Sequence, residues 1–120
     1  MRALIFDSPN GPLELRDVPD LPAPGPTEVR IGTEYSGVNR ADLSQRAGRY
    51  PAPPGASTIL GLEVSGKVLE AGRDVRRFRV GQPVMALLAG GGYAEQVVVP
   101  EALCLPVPAA LDVERAEGVA

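Results

Sequence analysis

The 120 residues contain no histidine, no tryptophan, one cysteine (Cys104) and one lysine (Lys67). Without histidine, and with one cysteine, a zinc site built from Cys and His cannot form within the chain. Ser-His and Cys-His catalytic pairs are excluded on the same ground. An internal disulfide needs two cysteines and is excluded as well, which fits the cytoplasm. Aromatic residues make up 4% of the chain and the net charge is −3, so neither a base-stacking surface nor the basic surplus of a nucleic-acid binder is present. No apolar run approaches the length needed to span a membrane. The opening residues, MRALIFDSPNG, hold an aspartate at position 7 and no apolar signal core.

What is present is a globular composition, 44% hydrophobic, in a length that fits one domain with one core. Fourteen glycines and thirteen prolines are spread along the chain, where they read as turns between short strands. Residues 1–7 form an apolar run expected to be a strand, closed by the turn residues Ser8-Pro9-Asn10-Gly11. Leu13, Leu15 and Val18 suggest a second strand. Pro19, Pro22, Pro24 and Pro26 then enforce an extended connector. Residues 28–35 alternate clearly, with Val29, Ile31, Thr33 and Tyr35 on one face.

Residues 39–47 have helical features. Asn39 is a candidate N-cap, Asp42 falls at the third helical position, Leu43 and Ala47 share a face, and Gly48 supplies the stop. Further strands are expected over 59–71, bent at Gly66, and over 83–88, 93–99 and 103–107. Asp112 could cap a closing helix. Seven or eight short strands with little helix predict a mainly β fold, a barrel or sandwich.

Several groupings invite a chemical reading. Gly90-Gly91-Gly92 suggests a phosphate loop, but the residues after it are β-like rather than a helix N-terminus, so a hairpin turn is expected. Arg73, Arg76, Arg77 and Arg79 read as a solvated turn guarding a sheet edge. Asp42 and Glu63 could be paired as an acid and a base; capping is the simpler role for Asp42, and a structural or cofactor-proximal role the simpler one for Glu63. Ser65 and Lys67 read as strand residues rather than a nucleophile pair. Cys104, between two leucines, reads as a buried inert thiol. Asn39, Arg40 and Tyr50 flank the short helix and the proline loop after it, where polar and aromatic residues over a rigid scaffold commonly form sites.

The run GVNRADLSQRAGRYPAPPGASTILGLEVSGKVLEAG, residues 37–72, resembles the zinc-independent quinone oxidoreductases, the zeta-crystallin-like branch of the medium-chain dehydrogenase/reductase superfamily. Three further stretches agree in order. Residues 72–81 are similar to the family's G-x-x-V-x-x-F-x-V-G turn, MALLAGGGYAEQ (85–96) to its glycine hairpin, and Val99-Pro100 with Leu105-Pro106-Val107-Pro108 to its exit strands. Gln82-Pro83 departs from the Asp-Arg pair usual after that turn.

The resemblance implies a GroES-like, partly open β-barrel with one or two short helices. The same resemblance implies that these 120 residues correspond to the N-terminal catalytic domain of a two-domain enzyme, without its Rossmann domain or the return segment that completes the catalytic domain. Zinc-dependent relatives carry a Cys and a His where this chain has Asn39 and Leu62, which agrees with the zinc-free branch. The implied reaction is transfer of a hydride from NADPH to a quinone or enone acceptor, with NADPH bound mainly by the other domain, no zinc, no nucleic acid or membrane partner, and a homodimer at full length. By the same resemblance Asn39 and Tyr50 are catalytic residues beside the nicotinamide and acceptor, and Glu63 lines the cleft with them. An enoyl reductase of the same fold and a free-standing GroES-like partner-binding module are the alternatives.

Overall fold

Alternating apolar residues produce the strands, and glycine and proline end them. The computed structural model describes residues 1–49 and 51–108; Tyr50 and the helix expected from Asp112 lie outside the described residues. The elements run β1 (Arg2–Ile5), β2 (Glu14–Asp17), β3 (Glu28–Ser36), α1 (Arg40–Arg46), β4 (Glu63–Ala71), β5 (Pro83–Leu87), β6 (Gln96–Pro100), a 3₁₀ turn (Glu101–Leu103) and β7 (Cys104–Pro106). β1 and β2 form an antiparallel hairpin. The other strands form one five-stranded antiparallel sheet in the order β6-β3-β4-β5-β7. The fold is mainly β, a curled half-barrel of GroES-like form with one short α-helix among the described residues, as the sequence predicts.

The sheet curls around Val29, Ile31, Val64, Val68, Phe78, Val84, Ala86, Val97, Val99 and Cys104, all buried. Burial of each large aliphatic side chain contributes about 1.5–3 kcal/mol, so this cluster is the main source of stability. The proline-rich connector is held to the sheet by hydrogen bonds rather than by packing alone. The Arg30 guanidinium donates to the carbonyls of Leu21 (3.4 Å) and Pro22 (3.0 Å) and pairs with Glu70 at 3.2 Å.

The alternation expected over 28–35 holds only in part. Val29 and Ile31 are buried, but Tyr35 is exposed. The register between β3 and β4 shifts between Arg30 and Ile31, and again between Thr33 and Tyr35. Each bulge adds a residue to one strand and breaks the period-2 count beyond it. The strand expected from residue 59 begins only at Glu63, because residues 59–62 bond to another loop. The strand expected from residue 93 begins at Gln96. Val80, in the arginine-rich turn, is exposed.

The hairpin expected at Gly90-Gly91-Gly92 is not one. β5 pairs with β4 and β7, while β6 pairs with β3, so the segment between β5 and β6 crosses from one side of the sheet to the other. On the way it bonds to the loop before β4. Leu88, Gly91, Gly92 and Tyr93 donate their N–H groups to the carbonyls of Leu62 (2.7 Å), Ile59 (2.8 Å), Gly61 (3.0 Å) and Leu60 (2.8 Å). Those amides are already occupied, which removes the phosphate-loop reading as well.

Candidate functional site around the N-terminus of helix α1

Asn39, whose backbone is extended, is the N-cap of α1, and Gly48, at φ +79°, follows its C-cap. The helix is amphipathic in an inverted sense. Leu43, the large apolar residue of the face it shares with Ala47, is 61% exposed, whereas Asp42 is 2% exposed. The reason lies in what Asp42 touches. Its Oδ2 accepts from the Asn39 N–H at 2.9 Å and from the Tyr93 hydroxyl at 2.8 Å, and its Oδ1 accepts from the Gly61 N–H at 3.3 Å. A buried carboxylate without a cation persists only when donors converge on it in this way. Asp42 therefore closes the first turn of the helix, as its position predicts, and also joins the helix to two loops.

Gly61 makes that junction possible. Its φ is +109°, and a Cβ there would lie 2.6 Å from the Gly92 Cα and 2.7 Å from the Tyr93 nitrogen. Only glycine lets the loops before β4 and before β6 approach this closely. Ser36, at the end of β3, adds a 2.5 Å bond from its hydroxyl to the Gly92 carbonyl. The Tyr93 phenol is held well above its ordinary pKa, first by burial and then by the bond to Asp42, so it stays a neutral donor across the physiological range.

Two residues past Gly61, Glu63 opens β4. Its Oε1 accepts from the Asn39 side-chain amide at 3.0 Å. The backbone of Gly37 gives Glu63 room: a Cβ on Gly37 would fall 2.6 Å from the Glu63 Cγ. The structure thus brings together two of the three expected site residues, Asn39 and Glu63, and Tyr50 lies outside the described residues. Asp42 and Glu63 both bond Asn39, Asp42 at its backbone N–H and Glu63 at its side-chain amide. Tyr93 is the residue that sequence reading passes over. An aspartate three residues after an N-cap, with a tyrosine directly after a triple glycine, is a weak signal for this contact.

A cleft of about 580 Å³ opens on the neighbouring side of α1, lined mainly by apolar side chains including Leu13, Leu15, Val38, Leu43 and Leu60. Asp42 and Tyr93 line it too, while Asn39 and Glu63 do not. Asp42 therefore stands between the cleft and the Asn39 and Glu63 pair. Among the described residues no group of three or more His, Cys, Asp or Glu side chains is placed to hold a metal ion, and no helix is long and apolar enough to cross a membrane.

The profile of the alcohol dehydrogenase GroES-like domain matches residues 25–109. The chain belongs to that family, within the medium-chain dehydrogenase/reductase superfamily. A quinone oxidoreductase of Pseudomonas aeruginosa is 41% identical over 119 residues, which cover 95% of this chain and 35% of that protein. An alcohol dehydrogenase superfamily protein from Novosphingobium aromaticivorans superposes with a TM-score of 0.86 at 36% identity, over 98% of this chain and 37% of that one. The Escherichia coli quinone oxidoreductase, solved in complex with NADPH, superposes at 0.79 with 25% identity, over 97% of this chain and 35% of that one. The chain spans little more than a third of the length of these relatives. The superfamily and GroES-like fold expected from residues 37–72 are those found.

Proposed function

We propose that this chain is the catalytic domain of an NADPH-dependent reductase that acts on a quinone or an activated double bond without zinc, together with a cofactor domain outside these 120 residues. The observation that carries the reading is the bond from the Asn39 amide to Glu63, at the mouth of a loop junction fixed by Asp42. The zinc-dependent relatives have a metal-ligating Cys and His at the positions of Asn39 and Leu62, and neither residue here can ligate zinc as a thiolate or an imidazole. The family membership and the likeness to quinone oxidoreductases support the same reading.

The donor set fits a nicotinamide and a carbonyl acceptor. A carboxamide offers two N–H donors and an acceptor, and one of those donors is committed to Glu63. The bond to Glu63 fixes the plane of the amide, so its other N–H has a defined direction for a ligand oxygen. When bound, NADPH supplies the hydride. In this reading Asn39 and Glu63 orient the reactants. Tyr50 is assigned here by the resemblance alone: its phenol gives a flat face for a quinone ring and one donor for the carbonyl oxygen.

The test is the rate of NADPH oxidation by the full-length protein with a soluble benzoquinone, beside an enoyl thioester. Quinone turnover, with kcat/KM lowered about 10–100-fold in Asn39→Ala and in Tyr50→Phe, supports the assignment. Unchanged kinetics in both variants would remove these residues from the site. Turnover confined to the enoyl thioester would make the protein an enoyl reductase. Absence of turnover on either would favour a partner-binding module.

A further inference from the structure

We propose that Asp42, held by Tyr93, is a positioning residue that sets the geometry of the Asn39 amide against Glu63. The inference rests on reading Asn39 and Glu63 as the site. Asn39 belongs to the N-terminus of α1 and Glu63 to the start of β4, and no backbone hydrogen bond of the sheet joins those two elements. The Gly37 N–H, two residues before Asn39, donates to the Glu63 carbonyl at 3.0 Å, and one carboxylate ties the end of the helix itself to the loop before β4. Asp42 bonds the Asn39 N–H on one side (2.9 Å) and, on the other, the N–H of Gly61 (3.3 Å), two residues before Glu63.

The same Asp42 oxygen that holds Asn39 also accepts from Tyr93, so the tyrosine hydroxyl limits the swing of the carboxylate. Tyr93 is itself fixed. Its N–H donates to Leu60, its carbonyl accepts from the Leu4 N–H at 2.9 Å, and Gly92 before it bonds Gly61 and Ser36. The chain of contacts runs from β1 through Tyr93 and Asp42 to Asn39. A carboxylate that only capped α1 would need the Asn39 bond and neither of the others. Neither Asp42 nor Tyr93 need touch a ligand for this role.

The decisive measurement is the side-chain amide signal of Asn39 in ¹⁵N-labelled protein, identified by its loss in Asn39→Asp. Tyr93→Phe keeps the ring and removes only the hydroxyl. The expected result is a displaced Asn39 amide signal with hydrogen exchange faster by about tenfold. Asp42→Asn should give a larger change in the same direction, and Phe78→Leu, a core change away from the junction, should give none. An Asn39 signal unmoved in Tyr93→Phe overturns the proposal, even if Asp42→Asn fails to fold.

The kinetic arm separates this inference from the functional reading beneath it. In a protein that reduces quinones, Tyr93→Phe should lower kcat severalfold with KM for NADPH unchanged, because the loss is in orientation. A fall in stability with kcat unchanged would reduce Tyr93 and Asp42 to structural residues and overturn the proposal. If the wild type has no reductase activity, the functional reading fails and the Asn39 signal still decides whether Asp42 and Tyr93 set its geometry.

Discussion

In the five-stranded sheet the largest fully buried side chains are Val29, Ile31, Val64, Val68, Val84 and Cys104, joined by Ser65, whereas the buried side chain of α1 is the carboxylate of Asp42. The sheet faces apolar groups inward. The helix carries Leu43 on its exposed side, and Val38 just before it is 77% exposed. The sheet is held by many interchangeable contacts, none of which alone decides its shape. The helix is held by directional bonds to a few atoms, and each of those bonds fixes a distance. Site geometry needs the second kind of support, and Asn39 stands at its centre.

Substitutions should separate the two regions. The largest loss is expected in the sheet. Ile31→Ala leaves a cavity beneath the central strands and should cost about 2–5 kcal/mol in denaturant unfolding, without changing the environment of Asn39. Gly61→Ala comes next, at about 1–3 kcal/mol from its backbone conformation, and the forced approach to Gly92 adds to that. Unlike Ile31→Ala, it should displace the Asn39 signal, since Gly61 shares Asp42. If Gly61→Ala left Asn39 undisturbed, or Ile31→Ala displaced it, the contrast between the two regions would fail.

A pH titration sharpens the comparison on the sheet side. Cys104 is buried, and burial raises its pKa from 9.0 to about 11. The folded state therefore keeps its proton where the unfolded chain gives it up. Stability from this group is fully present below about pH 9 and is lost as pH rises toward 11. Cys104→Ala should flatten that decline in thermal unfolding measured across the window, and maleimide labelling of the native thiol should be slow. The smallest effect is expected at Leu43→Ser, within about 0.5 kcal/mol, because that side chain, although it lines the open cleft, is largely exposed.

The sheet was largely legible in the sequence because its alternation is strong and its breaks are glycine and proline. Val29, Ile31 and the strand of residues 83–88 follow directly from pattern. The pattern misplaces Tyr35, because a bulge has no sequence marker as plain as a turn has. It misplaces Leu43 for a different reason. Helical periodicity assumes that the apolar side chain goes inward, and here three donors drawn from a helix and two loops converge on Asp42. None of the three is adjacent to another in sequence, so the inversion cannot be seen until the chain is folded. The glycine segment was misread on topology: β-like residues on both sides of a turn suggest a hairpin, and only the strand order shows a crossover. Asn39 and Glu63 are candidates by resemblance alone, whereas the bond between them required the structure.

The strand order also has a consequence in time. β3 lies at the interior of the sheet, yet its neighbour β6 begins roughly sixty residues after β3 ends. A ribosome adding about 5–20 residues per second would leave one flank of that apolar strand without its partner for about 3–12 seconds. Pairing between segments so distant also raises contact order, which slows folding of the released chain. The cell that makes this protein must shelter an unfinished sheet for the interval, so its yield should depend on chaperone supply more steeply than that of a helical domain of equal stability.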